Sequence, residues 1–202
     1  FRTELPAGRA PAGAALTPDG SRLAVGDDAG GLSVWAVADG TLAGRIDTGS
    51  REPVGAVAVS DDGRLVAARV PGGLGVWAVG APDPRVSLPC DDPAAFRFLP
   101  GGDRLAVAGR DGVVRVWGAT GREELTLFGH VGRVSALGAS PDGRTLVSGS
   151  ATGEVRFWDL RTGTELFAVR RHSVAVTAIE FAADGRYLVT AGDGQVAVWD
   201  AR

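Results

Sequence analysis

The sequence predicts an all-β chain, a β-propeller built from five four-stranded antiparallel repeats, and three observations carry that reading. Trp35, Trp77, Trp117, Trp158 and Trp199 are all the tryptophans of the chain, and they stand 42, 40, 41 and 41 residues apart. A repeat of about 40 to 45 residues that reads as several short strands is the signature of a propeller blade. Before each Trp, by 14 or 15 residues, lies a turn glycine, in Pro18-Asp19-Gly20, Asp61-Asp62-Gly63, Pro100-Gly101-Gly102, Pro141-Asp142-Gly143 and Ala183-Asp184-Gly185. Each turn is followed by a short apolar run that ends in a small residue.

Each element follows from local chemistry. In the turns Pro presets φ, Asp bonds its own backbone, and Gly accepts the positive φ that closes a hairpin. The first strand of each repeat therefore precedes the turn, and the second is the apolar run after it: 22–26, 64–68, 104–108, 145–149 and 187–191. A second turn leads to the Trp-bearing third strand, clearest at 113–117, 154–158 and 195–199. Asp39-Gly40, Thr120-Gly121 and Thr162-Gly163 then turn the chain into a fourth strand such as 165–169. The repeat cores run 8–46, 50–88, 90–128, 130–169 and 172–202, in one propeller domain or segment over 1–202. Thr3-Glu4-Leu5 matches the fourth-strand start Thr164-Glu165-Leu166, so residues 1–7 read as the fourth strand of a preceding blade or of the last one. The reading is a partial propeller, with a closed five-bladed ring as the alternative.

Composition excludes several classes. At 202 residues the chain builds one sizeable core, and the repeat leaves no room for a second domain. A net charge of −3 with both signs interspersed gives no basic footprint for nucleic acid. The apolar runs are a strand long, too short to cross a membrane as helices, and the start lacks a secretory-signal pattern. Cys90 is the single cysteine, so no internal disulfide forms, and the compartment leans to the cytoplasm. The chain has no Met, Lys or Asn while Ala, Gly, Arg, Val and Asp abound. That usage points to a GC-rich bacterial source of actinobacterial type and to a segment of a longer parent chain.

Gly129-His130, Ser140-Pro141-Asp142-Gly143, Leu146-Val147-Ser148-Gly149-Ser150 and Phe157-Trp158-Asp159 together resemble a repeat of the WD-repeat (WD40-type) propeller family. His172, Asp184-Gly185-Arg186, Thr190-Ala191-Gly192-Asp193-Gly194 and Trp199-Asp200 resemble it as well, and the likeness covers essentially the whole chain. Repeats one to three have drifted: their Trp is followed by Ala36, Ala78 and Gly118, and none has a His. The resemblance implies a hydrogen-bond network joining His, Ser or Thr, Asp and Trp inside a blade. Carried over by position, it is His172, Thr190, Asp193 and Trp199 in the fifth repeat. The fourth offers His130, Ser148 and Trp158, with Thr152 where the Asp would stand; the third offers Asp111 and Trp117, with Ala108 in place of the hydroxyl. The physical logic is independent of the family: a buried indole N–H needs an acceptor, and a hydroxyl passes the bond to an imidazole.

His, Ser or Thr, and Asp also invite a catalytic reading. Their recurrence at one phase of a structural repeat, beside the core Trp, argues for structure and against a nucleophile. No zinc-ligand spacing and no P-loop occur, so no enzyme activity, metal or cofactor is expected. The loops between fourth and first strands and between second and third strands share one end of the sheets. They carry Arg9, Arg51, Arg69, Arg110, Arg133 and Arg171 beside Asp27, Asp28, Glu52, Asp91 and Asp92. This rim is either a solvated polar edge or a surface for a protein or peptide partner. The family likeness implies the latter, in a noncatalytic scaffold attached to a larger bacterial signalling or regulatory protein. The alternative is a periplasmic TolB-like or hydrolase-associated propeller.

Overall fold

A computed structural model describes residues 8–90, 92–118 and 120–201. These residues form strands and no helix, in two compact units, Phe1–Cys90 and Asp91–Arg202. The first unit holds two four-stranded sheets. One is β1 (Pro11–Leu16), β2 (Arg22–Asp27), β3 (Gly31–Ala36) and β4 (Leu42–Asp47); the other is β5 (Val57–Val59), β6 (Leu65–Val70), β7 (Gly73–Ala78) and β8 (Val86–Pro89). The second unit holds three. They are β9 (Ala95–Phe98) to β10 (Arg104–Ala108), β11 (Val114–Gly118) and β12 (Glu123–Leu127); β13 (Val134–Ala139) to β14 (Thr145–Ser150), β15 (Glu154–Asp159) and β16 (Thr164–Arg170); and β17 (Val176–Phe181), β18 (Tyr187–Gly192) and β19 (Gln195–Asp200).

Every sheet is an antiparallel meander in sequence order. The turn chemistry is the reason. In the first turn of each sheet the Gly amide donates to the carbonyl three residues back: Gly20 to Thr17, Gly63 to Ser60, Gly102 to Leu99, Gly143 to Ser140 and Gly185 to Ala182, at 2.8–3.0 Å. The fifth sheet has three strands among the described residues. The strand expected over residues 1–7 lies outside the described residues.

The cores sit between neighbouring sheets within each unit. In the first unit Ala24, Leu32, Val34 and Ile46 meet Val59, Val66, Ala68 and Trp77. In the second, Ala106, Val114, Val116 and Leu127 meet Leu137, Leu146 and Trp158, and a further cluster joins Val147, Val155 and Phe157 to Val176, Ile179 and Leu188. Each such aliphatic side chain contributes about 1.5–3 kcal/mol when fully buried. Packing two sheets face to face is thus what fixes the strands, and the loops at their ends are left to present side chains.

Candidate interaction rim and the buried network behind it

Register places one residue of the second strand two positions beyond the partner of Trp. Leu146 faces Trp158 and Ser148 follows on the same side; Leu188 faces Trp199 and Thr190 follows. In the fourth sheet the Trp158 indole N–H donates to Ser148 Oγ at 2.8 Å, and Ser148 Oγ lies 2.7 Å from His130 Nε2. His130 Nδ1 in turn lies 3.2 Å from a Glu154 carboxylate oxygen. Arg156 donates to both oxygens of Glu154 at 3.0 Å and also reaches Glu165. Burial of His130 pushes its pKa below the ordinary imidazole value, with the Glu154 charge opposing that shift. Sequence reasoning missed Glu154. It found Thr152 in the acidic place, but Thr152 turns its hydroxyl to Ser150 at 2.9 Å.

The fifth sheet repeats part of this arrangement. Trp199 Nε1 donates to Thr190 Oγ1 at 3.1 Å, and Thr190 Oγ1 lies 2.9 Å from His172 Nε2. Asp193 departs from the expected place in the network, because its carboxylate does not meet the imidazole and the buried His172 Nδ1 has no hydrogen-bond partner among the described residues. Asp193 has a left-handed φ of 61°, which turns its carboxylate toward the backbone after His172. There it accepts the Ser173 N–H, the Ser173 hydroxyl at 2.9 Å and the Val174 N–H at 2.9 Å. These bonds, the Ser173 amide first, hold its pKa below the usual carboxylate range.

The other three sheets lack the relay. Val25, Ala68 and Val107 occupy the register place of Ser148. In the third repeat this corrects Ala108, because Val107 pairs with Arg115 across seven intervening residues whereas Thr190 pairs with Ala197 across six. Asp111 accepts the Val113 N–H at 3.1 Å and Arg115 at 2.7 Å; neither bond involves Trp117, which is half-buried. Trp35 and Trp77 bury indole N–H groups that have no hydrogen-bond partner among the described residues.

The Arg side chains divide by what holds them. Within the first unit, Arg9 is bonded at 3.0 and 2.8 Å to the two oxygens of Asp27, which is 1% exposed. Burial alone would raise the Asp27 pKa, but the Gly31 amide, Arg9 and the Ala29 amide together hold it below the ordinary value. Arg9 is therefore a structural partner of a buried carboxylate and does not stand as a free rim cation. Arg51 is exposed in the loop after β4, and Arg69 is exposed near the end of β6. Asp28 accepts the Ala10 N–H at 3.1 Å, and Glu52 is exposed. Within the second unit, Arg110 is paired with Asp92, whereas Arg133 and Arg171 are exposed on the loops before β13 and β17. Asp91 lies outside the described residues.

Ser148, His130 and Glu154 have the partner order of a hydrolytic triad. Yet Ser148 is wholly buried and its Oγ already accepts the Trp158 N–H, while a nucleophile needs an open path to a carbonyl and donors for its oxyanion. The arrangement fixes a loop to a sheet. Among the described residues no three His, Cys, Asp or Glu side chains are placed to hold a metal ion, and no helix is long and apolar enough to cross a membrane.

The family profile "WD domain, G-beta repeat" (WD40) matches residues 90–118, 121–159 and 163–200. The last two segments each begin beside or within the fourth strand of one sheet and end at the Trp strand of the next. The chain is similar to the small ribosomal subunit protein RACK1 of Caenorhabditis elegans, 33% identical over 110 residues that make up 53% of this chain and 34% of that protein. It is also similar to the small ribosomal subunit protein RACK1z of Arabidopsis thaliana, 37% identical over 75 residues, 37% of this chain and 23% of that protein. The matched segment thus spans about a third or less of each relative. With the repeat profile matching more than half of its residues, and with sheets that repeat the Trp–hydroxyl–His geometry, this chain belongs to the WD40 repeat family.

Proposed function

We propose that the chain is a noncatalytic protein-interaction scaffold that takes a protein or peptide on the Arg-bearing loops at one end of its sheets. The observation that carries this reading is the contrast between held and unheld cations. Arg9 and Arg110 are ion-paired, whereas Arg51, Arg133 and Arg171 are exposed and have no side-chain partner among the described residues. Arg forms planar paired bonds to carboxylates, stacks on aromatic rings, and is enriched at interface hot spots. Similarity to WD40 repeats and to ribosome-associated relatives supports a role in assembly over one in catalysis. The scaffold belongs to a larger bacterial signalling or regulatory protein of the cytoplasm; the GC-rich residue usage supports the bacterial part of this proposal.

The test is a pull-down from lysate of a high-GC actinobacterium with the parent chain and with Arg51, Arg133 and Arg171 replaced together by Ala. The variant should lose partners that the parent recovers and keep its melting temperature, since exposed charges contribute little to folding. Its association rate should also depend less on salt. Recovery of the same partners at the same affinity would move the site away from this rim.

A further inference from the structure

We infer that the loops before β13 and β17 form one docking strip for an extended acidic peptide carrying large apolar side chains; this rests on the scaffold reading and names the chemistry of its partner. The apolar part is unusual for loop ends. Phe128, Val131 and Val174 are 70%, 80% and 54% exposed, beside the buried His130 and His172. Exposed apolar side chains gathered on a polar rim mark contact surfaces.

Charge gives the partner its sign. Arg133, Arg170 and Arg171 are exposed and have no side-chain partner among the described residues. The described carboxylates of the same end are engaged: Asp92 with Arg110, Asp111 with Arg115, Glu154 with Arg156 and His130, and Asp193 with the Ser173 and Val174 amides. Arg133, Arg170 and Arg171 outnumber Asp193, the one of these carboxylates that no cation pairs, so the described residues of the strip present net positive charge beside apolar anchors. A peptide with Asp or Glu next to Leu, Ile or Phe satisfies both. A nucleic acid is the poorer fit, because the chain as a whole is negative, at −3, and the anchors are mostly aliphatic.

The two loops are one surface, held in place beforehand. The Ala151 N–H donates to the Arg133 carbonyl at 2.8 Å, and the Arg171 and His172 amides donate to the Gly153 carbonyl at 3.2 Å. Gly153 has a φ of 84°, and a Cβ there would overlap the His172 carbonyl and come within 2.9 Å of that of Val174. The turn at 151–153 thus wedges between the two loops. Behind them, Ser148 and Glu154 fix His130, while Thr190 fixes His172 and Asp193 fixes the two residues after it. A strip already ordered loses little freedom when a peptide binds.

The experiment pans random linear peptides displayed on phage against the 202-residue chain, then measures the selected peptides by fluorescence polarisation. The selected pool should be rich in Asp and Glu beside large apolar residues. Val131→Asp, Phe128→Ser and the pair Arg133→Glu with Arg171→Glu should each weaken binding by about tenfold or more at unchanged melting temperature. Arg51→Glu should change it by less than about twofold. A pool without acidic enrichment overturns the inference, as does displacement of the peptides by oligo-dT. Loss of binding with Arg51→Glu alone overturns the strip but leaves the scaffold reading intact. If no peptide is selected and the lysate pull-down is also empty, both readings fall.

Discussion

Ser148 joins the Trp158 indole to the His130 imidazole through one oxygen. Its Oγ accepts the Trp158 N–H; the Glu154 carboxylate can only accept, so the proton of the neutral imidazole sits on Nδ1 facing Glu154, and Nε2 takes the Ser148 proton. One tautomer satisfies every member. Ser148→Ala strands an indole donor and an imidazole acceptor in the core and should cost about 1–3 kcal/mol in chemical denaturation. Trp158→Ala, which opens a cavity, should cost about 3–5 kcal/mol. Trp199→Ala should cost less than Trp158→Ala, because Trp199 is only half-buried. His130 adds a pH dependence. The unfolded imidazole takes its proton near 6.5, and the folded one, held lower by burial, takes it only at more acid pH. Stability is therefore complete above about pH 6.5 and falls as the pH drops from there through the folded value. Melting temperatures between about pH 8 and 5 should show this decline, and His130→Gln should lessen it. An identical slope in the two proteins would refute it.

At the scale of the element, the recurring unit is a turn in which a hydroxyl holds an Asp two residues on. Thr17 donates to Asp19 at 2.5 Å, Ser60 to Asp62 and Ser140 to Asp142 at 2.6 Å. The same Ser140 oxygen accepts the Thr145 N–H at 2.9 Å, so it fixes both sides of the turn. The Thr17 hydroxyl, aided by the Ser21 amide, lowers the Asp19 pKa to about 2, and the Ser60 and Ser140 hydroxyls lower those of Asp62 and Asp142. These carboxylates stabilise the fold above the unfolded Asp value of about 3.9, and that contribution is lost as pH falls through the folded values. Ser140→Ala should cost about 0.5–1.5 kcal/mol near neutral pH and less in acid, as read from denaturation midpoints. Such turns were legible in the sequence because their chemistry is local, and strand boundaries followed within a residue or two. The partners of the histidines were less so. A one-residue difference in the second turn moves the hydroxyl place from nine to ten residues before Trp, which is why Val107 and not Ala108 occupies it. Glu154 and the Arg9–Asp27 pair were illegible for another reason: each contact joins the loop before a sheet to its inner strands, and no residue pattern encodes that reach. Arg9→Ala strands the nearly buried Asp27 charge and should lower the melting temperature, whereas Arg51→Ala should leave it unchanged.

At the scale of the whole molecule, stacked sheets bury one face against each neighbour, and stability accumulates through nearest-neighbour contacts. The three apolar clusters follow that rule within each unit. The second unit also leaves an apolar surface uncovered. Leu166 and Phe167 on β16 and Val196 and Val198 on β19 are exposed, and a cavity of about 730 Å³ lies between their sheets, lined by Phe157, Phe167, Phe181, Leu188 and Trp199. β19 pairs with β18 among the described residues. Such an exposed apolar face favours association of one copy with another. Sedimentation velocity on the 202-residue chain should therefore show a mean mass that rises with concentration. Leu166→Ser with Val198→Lys should reduce the association without changing peptide binding at the Arg-bearing loops, which lie at the other end of the strands from the Pro141-Asp142-Gly143 and Ala183-Asp184-Gly185 turns that border the cavity. A parent chain that stays monomeric at every concentration would show that this surface is covered in solution.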